Sequence, residues 1–448
     1  MEQKRRDRIR KTLKRQLAAE AEETLRKVQA DFRDPPEAMQ YFYKVFRRWA
    51  DPAAFCDASG MLIATTCTQV PLELILACGA RPLRLCNASH ALDQAGAELL
   101  PAKTCTLVKA SAGMLSIFQD AFRHRLGLIV APAACDAKRK ASELLAELGV
   151  PVHPLAMPSS KNTPEAAFYW QETVGKLALR LSQVTGRRIT RRRLSAAVHK
   201  VRLASGAFRW LSRLQRHCPP VVHGTDTFIV ANAFLYDDID RWTAALVRLN
   251  TELEARAAAG RCIGRHAPRI LLTGSPPMAP GLKIPLLVED AGAVIVADEV
   301  CSCSRLLYDP VPRVEPCLYD LIPAIADRYL KPCTCPIYDS GDDRRRKLLE
   351  LVRRCAVDGV VHPVYSGCQL YQIEQRPVGM ALREAGVPVL FVETDASPED
   401  RGQLATRIEA FVESIQAGRK GEKTCGASVE STSVQRPSKS YSSMKTAV

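Results

Sequence analysis

RILLTGSPPMAPGLKIPLLVEDAGAVIVADEVC, Arg269–Cys301, is the stretch on which the fold turns. An apolar run closes on Gly274, Ser275 and Pro276, a helical stretch KIPLLVED follows, and a second apolar run ends in Asp298, Glu299 and a cysteine. Runs that are apolar at nearly every position, joined through a helix, belong to strands buried on both faces and paired in parallel. The same unit recurs downstream in RRRKLLELVRRCAVDGVVHPVY and REAGVPVLFVETD, running on to RIEAFVESI. Upstream it recurs in GMLIATTC into PLELILACGA, in RPLRLC, in LGLIVAPAAC into DAKRKASELLAELG, and in VPVHPLA.

The alternation predicts an α/β protein of two doubly wound, Rossmann-like parallel-sheet domains with a helical insertion between them. The boundaries follow from the pattern: an N-terminal helical segment over 1–50, a first α/β domain over 51–162, the insertion over 163–266, and a second α/β domain over 267–417. Residues 418–448 are rich in Ser and Lys and poor in large apolar side chains, which predicts a disordered tail.

Composition bounds the function. With 448 residues, 47% hydrophobic and 25% charged, the chain is ordinary for about two to three soluble domains. It holds no uncharged apolar run of about 18 residues, so no membrane span is expected. MEQKRRDRIRKTLKRQ lacks the apolar centre of a secretory signal, and a cytoplasmic location is expected. The formal charge of +15 is concentrated. Residues 1–50 carry 14 basic against 8 acidic residues, 417–448 carry 6 against 2, and Lys176–Arg216 holds twelve basic residues with no acidic one. The remainder is net acidic. Gly186–His217 reads as a helix with Ile189, Leu194, Val198 and Val201 on one stripe. Its arginines are either a solvated face or a contact for nucleotide phosphates or an acidic partner. No nucleic-acid motif accompanies them, so no nucleic-acid partner is expected.

Sixteen cysteines in a reducing compartment are not expected to pair as disulfides. Cys67, Cys135 and Cys301 end apolar runs, and Cys368 follows VVHPVYSG. In open parallel sheets ligands sit beyond the carboxyl ends of the strands, so cysteines from both α/β units point toward one crevice. Cys105, in LPAKTCTLVKAS, and the pair Cys333 and Cys335, in YLKPCTCPIYDS, lie on loops able to reach it. A thiolate-bound iron–sulfur cluster, scattered core cysteines and zinc remain open on spacing alone. Zinc sites bring CxxC pairs, whereas CSC and CTC set their sulfurs on opposite sides of extended backbone. Alternation favours Cys301 over Cys303 and Cys335 over Cys333. A redox pair opening a helix would also need CxxC. Cys56, Cys78, Cys86, Cys218, Cys262, Cys317 and Cys355 read as small buried hydrophobes, and Cys425 falls in the tail.

CTQVPLELILACGARPLRLC resembles the opening motif of the 2-hydroxyacyl-CoA dehydratase and benzoyl-CoA reductase family, D-component type. LPAKTCTLVKAS, APAACDAKRK, RILLTGSPPMAPGLKIPLLVEDAGAVIVADEVC, YLKPCTC, DGVVHPVYSGCQLYQIE and GVPVLFVETDASPEDRGQLATRIEAF follow in the family's order, from about Thr65 to Ile415. The resemblance is closest to the double-cubane cluster proteins, because Cys67, Cys105, Cys135, Cys301, Cys335 and Cys368 stand at all six of their cysteine positions. It implies an iron–sulfur cofactor, double-cubane [8Fe-9S] or single [4Fe-4S], fed one low-potential electron by a separate ATP-hydrolysing activator that carries its own cluster. Double-cubane members reduce small substrates. Dehydratase subunits instead hold one cubane, matching Cys67, Cys105 and Cys368, and eliminate water from a 2-hydroxyacyl-CoA through a ketyl radical. The resemblance further implies a homodimer or a heterodimer with a homologous subunit, and a small-molecule or acyl-CoA substrate. A zinc-bound or metal-free interaction protein that kept the fold is the reading from another class.

Other polar residues carry expectations of their own. Lys138, Arg139 and Lys140 read as a solvated run and Glu73 as a helix-surface carboxylate or a neighbour of the cluster. His362 reads as a core histidine, and Glu393 and Asp395 as caps of a turn. Ser275 stands where relatives carry a cysteine. Gly113, Gly274 and Gly367 are expected to allow close approach to a bulky cofactor. No Gly-rich phosphate loop and no serine–histidine–acid set is present.

Overall fold

A computed structural model describes residues 2–421 except 32, 33, 52–59, 123 and 312–316. Cys56 and Cys425 lie outside the described residues. Eight strands are present among them: β1 Leu62–Thr65, β2 Arg81–Arg84, β3 Leu126–Pro132, β4 Val152–Leu155, β5 Arg269–Thr273, β6 Val294–Glu299, β7 Gly359–Tyr365 and β8 Val389–Thr394. They form two four-stranded sheets, ordered β2-β1-β3-β4 and β6-β5-β7-β8, with every named strand pair parallel. The fold is therefore α/β with two Rossmann-like sheets. β1, β5, β6 and β7 are mostly apolar and buried at every position because both of their faces are covered. In each sheet the second strand is added on one side of the first and the third strand on the other, so β1/β3 and β5/β7 flank the two topological switch points.

Four helices separate the sheets in sequence: Pro164–Thr185, Arg191–Gln215, Gly224–Phe234 and Ile239–Ala258. The basic helix Arg191–Gln215 starts at Thr190, whose hydroxyl accepts the Arg193 N–H at 3.4 Å. It buries Leu194, Val198, Val201, Phe208 and Leu211 against the body while Arg191, Arg192 and Arg193 stay in water. The last helix, Arg401–Gly421, continues past Ala417 into the segment read as tail; residues 422–448 lie outside the described residues. No helix among the described residues is long and apolar enough to cross a membrane.

Candidate active site

The sheets place their cysteines in matching register. Cys67 stands two residues past β1 and Ser275 two past β5; Cys86 stands two past β2 and Cys301 two past β6; Cys135 stands three past β3 and Cys368 three past β7. Strand ends in a parallel sheet all open on the same edge, so this register aims the side chains of each half at its own crevice. The two crevices meet. Cys67, Cys105, Cys135, Cys301, Cys335 and Cys368 all line one cavity of about 720 Å³, and Cys333 lines it as well.

Three of these sulfurs gain from helix ends. Cys105, Cys135 and Cys368 each precede a helix, Thr106–Ile117, Asp136–Glu147 and Gln369–Glu384. No side-chain cap bond closes at any of the three. The first-turn N–H groups of Leu107, Lys138 and Tyr371 are left to favour the thiolate. Cys105 and Cys368, from opposite halves of the molecule, share a hydrogen bond. That bond keeps the proton on Cys105, whose pKa rises, and lowers that of Cys368. Their approach depends on Gly367, at φ +82°, where a Cβ would strike the Lys103 carbonyl oxygen at 2.2 Å. Gly113 and Gly274 likewise press on backbone, at Leu92 and Pro363. All three glycines serve approach of the chain to itself, and Gly367 also lines the cavity.

Burial raises the thiols of Cys135, Cys301, Cys333 and Cys335, with Cys301 and Cys333 pushed up to about 12. Burial also raises Cys67, yet Lys138, Arg84 and the neighbouring N–H groups outweigh it, and this thiol ends below its ordinary value. Lys138 was the sequence's largest miss. Burial disfavours its ammonium, but negative charge on the neighbouring sulfurs, Cys67 first, more than offsets it and raises the pKa above the ordinary lysine value. Only Arg139 and Lys140 of that run are solvated, with side chains 62% and 76% exposed beside Asp136 and Glu143. A sequence signal existed in its place within the first turn after Cys135.

In CSC, Cys303 is fully buried and turned toward Asp298, leaving Cys301 on the cavity. In CTC both Cys333 and Cys335 line it, although alternation favours only one of them. Cys333 accepts a 2.7 Å contact from Gln69 Nε2.

A buried charge network backs these loops. Glu299 accepts from Arg344 Nη1 at 2.6 Å and Thr273 Oγ1 at 3.1 Å, pairs with Arg305 Nε at 3.2 Å, and accepts from Thr334, the residue between the two CTC cysteines. Arg344 pairs further with Glu374 at 3.3 Å, and Arg305 donates to the Tyr371 hydroxyl. Glu73 is fully buried rather than on a helix surface and accepts from the Tyr329 hydroxyl at 2.8 Å. Among the described residues, no three Cys, His, Asp or Glu side chains are grouped to hold a single metal ion.

Known proteins resemble this sequence over most of its length. The protein YjiM of Escherichia coli (strain K12), named as a candidate dehydratase subunit, is 29% identical over 79% of this chain and 91% of its own length. The beta subunit of (R)-2-hydroxyglutaryl-CoA dehydratase from Acidaminococcus fermentans is 24% identical over 77% and 90%. A benzoyl-CoA reductase subunit from Thauera aromatica is 23% identical over 83% and 94%. The family model described as 2-hydroxyglutaryl-CoA dehydratase, D-component, matches residues 67–415, from the first cavity cysteine to the final helix. The chain belongs to the 2-hydroxyglutaryl-CoA dehydratase D-component family and is an enzyme of the dehydratase family.

Proposed function

We propose that this chain is the cluster-bearing subunit of a cytoplasmic iron–sulfur reductase, in which Cys67, Cys105, Cys135, Cys301, Cys335 and Cys368 hold a double-cubane cluster. An ATP-hydrolysing activator with its own cluster supplies the electron, a second copy or a homologous partner forms a dimer with it, and a small molecule in the cavity is reduced. The observation that carries this reading is the convergence of all six cysteines, from both sheets, on one cavity of about 720 Å³. The donor set fits the group: thiolates on short loops after rigid strands are what iron–sulfur clusters require. A lone zinc ion would need four ligands within about 2.3 Å of one point, and these sulfurs are spread around a wall instead.

When bound, such a cluster supplies one-electron reduction at low potential. The chain's own residues do the rest. Leu107, Tyr329, Pro336 and Ile337 keep bulk water from the wall, and Lys138 sets positive charge beside the sulfurs. Glu299 fixes the CTC loop through Thr334. The competing reading is a 2-hydroxyacyl-CoA dehydratase subunit with one [4Fe-4S] cluster on Cys67, Cys105 and Cys368. It is favoured by the Cys105–Cys368 hydrogen bond and by the relatives' names.

Anaerobic purification with iron and acid-labile sulfide analysis separates the readings. About eight irons per chain are expected for the double cubane and about four for the single one. Cys135→Ser, Cys301→Ser and Cys335→Ser each cut the iron content on the first reading and leave it unchanged on the second. Zinc without iron would make the chain an interaction protein.

A further inference from the structure

The body of the chain outside its basic segments is net acidic, yet the cavity wall is not. Setting the cysteines aside, it carries Lys103, Lys138, Arg139, Arg305 and Arg328 against Asp136 and Asp309. Arg305 stands out among them. Its side chain is 9% exposed, its Nε pairs with Glu299 at 3.2 Å, and one terminal nitrogen donates to the Tyr371 hydroxyl. The other, Nη1, is buried with no hydrogen-bond partner, and Nε, though ion-paired with Glu299, makes no hydrogen bond either. A buried guanidinium N–H left unmet carries a desolvation cost that a ligand acceptor would relieve. The Tyr371 hydrogen bond and the Glu299 ion pair keep the guanidinium beside the cavity wall. Lys138 supplies a second cation on the same wall. Positive charge in a low-dielectric cleft draws in anions and orients them.

We propose that this cavity admits small anionic molecules and that Arg305, steered by Glu299 and Tyr371, orients them. The inference rests on the reading of this cavity as the reaction chamber and gives that chamber a substrate class: small carboxylates and comparable anions.

The test uses the cavity thiols of the metal-free full chain as reporters. Their alkylation by iodoacetate, an anion, is compared with that by the neutral iodoacetamide, peptide by peptide. Cys218 is exposed and serves as the internal reference. In both reactions the thiolate forms the S–C bond and iodide leaves, so the ratio of rates reports charge rather than thiol reactivity. At low salt the iodoacetate-to-iodoacetamide ratio at Cys301 and Cys335 is expected to exceed that at Cys218 by about tenfold or more, and to collapse in ~1 M salt. Arg305→Gln should bring it down toward the Cys218 value, while Arg305→Lys, which keeps the charge, should retain most of it. A wild-type ratio equal to that of Cys218, or an Arg305→Gln ratio equal to wild type, overturns the proposal. A merely structural arginine would change both reagents alike and be rescued by neither variant. Iron analysis fails or succeeds separately: a protein without iron but with the anionic preference refutes the cluster and leaves the anion site standing.

Discussion

His362 has no contact with water and packs its ring 5.3 Å from Phe391 and 6.1 Å from Tyr371. Burial first, and then Arg344, lowers its pKa to about 3. The unfolded chain therefore binds a proton that the native state refuses between pH 6.5 and 3, and stability falls as pH drops through that window. From pH 7 to 5 this one residue should cost about 2 kcal/mol. Urea denaturation of His362→Phe should show a correspondingly shallower loss over that range; an unchanged pH slope refutes the assignment. This core role is what an apolar strand flanking a histidine implies in sequence. Lys138 was not legible in the same way, since the three basic residues of its run differ only in which way the helix turns them.

At the scale of the element, strand ends were readable because apolar runs closed by Gly, Pro or a cysteine mark where the sheet stops. What braces those ends was not. Glu299 closes β6, yet its partners come from β5, from the CTC loop and from the helix Asp342–Arg354. Removing one member of a buried ion pair leaves the other unpaired and costs about 3–5 kcal/mol. Glu299→Gln should lower the unfolding free energy by about that amount, and in proteolysis the CTC loop should become the first site cleaved. A variant with wild-type stability would show that the pairing contributes nothing net. Glu73 teaches the same lesson on a smaller element: within LELILA it looks like a surface carboxylate, and only the Tyr329 hydroxyl from a distant helix makes its burial tolerable. Glu73→Leu is expected to leave that hydroxyl's proton without an acceptor, though it still accepts the Leu72 N–H, and to destabilise by about 1–3 kcal/mol, measured by thermal melting.

Over the whole molecule, the two sheets repeat one strand order and one cysteine register with a single swap, in which Ser275 takes the place that Cys67 has in the other half. The halves meet where Gly367 lies on the backbone of Lys103 and Cys105. Gly367→Ala would add a Cβ 2.2 Å from a carbonyl oxygen at a positive φ, so the loops must part. A destabilisation of about 1–3 kcal/mol is expected, together with loss of the depressed pKa of Cys368 in thiol titration of the metal-free protein. Retention of that low pKa would show that the contact does not set the spacing. The sequence by itself determined the α/β class, the strands and the cysteines that follow them, because burial on both faces and the turn residues are local, periodic properties of the chain. Which sulfurs share a cavity, which lysine faces them and which carboxylate ties the loops together were decided only by tertiary structure, because those contacts join residues far apart in the chain, such as Cys105 and Cys368, 263 positions apart, and no local pattern encodes such a meeting.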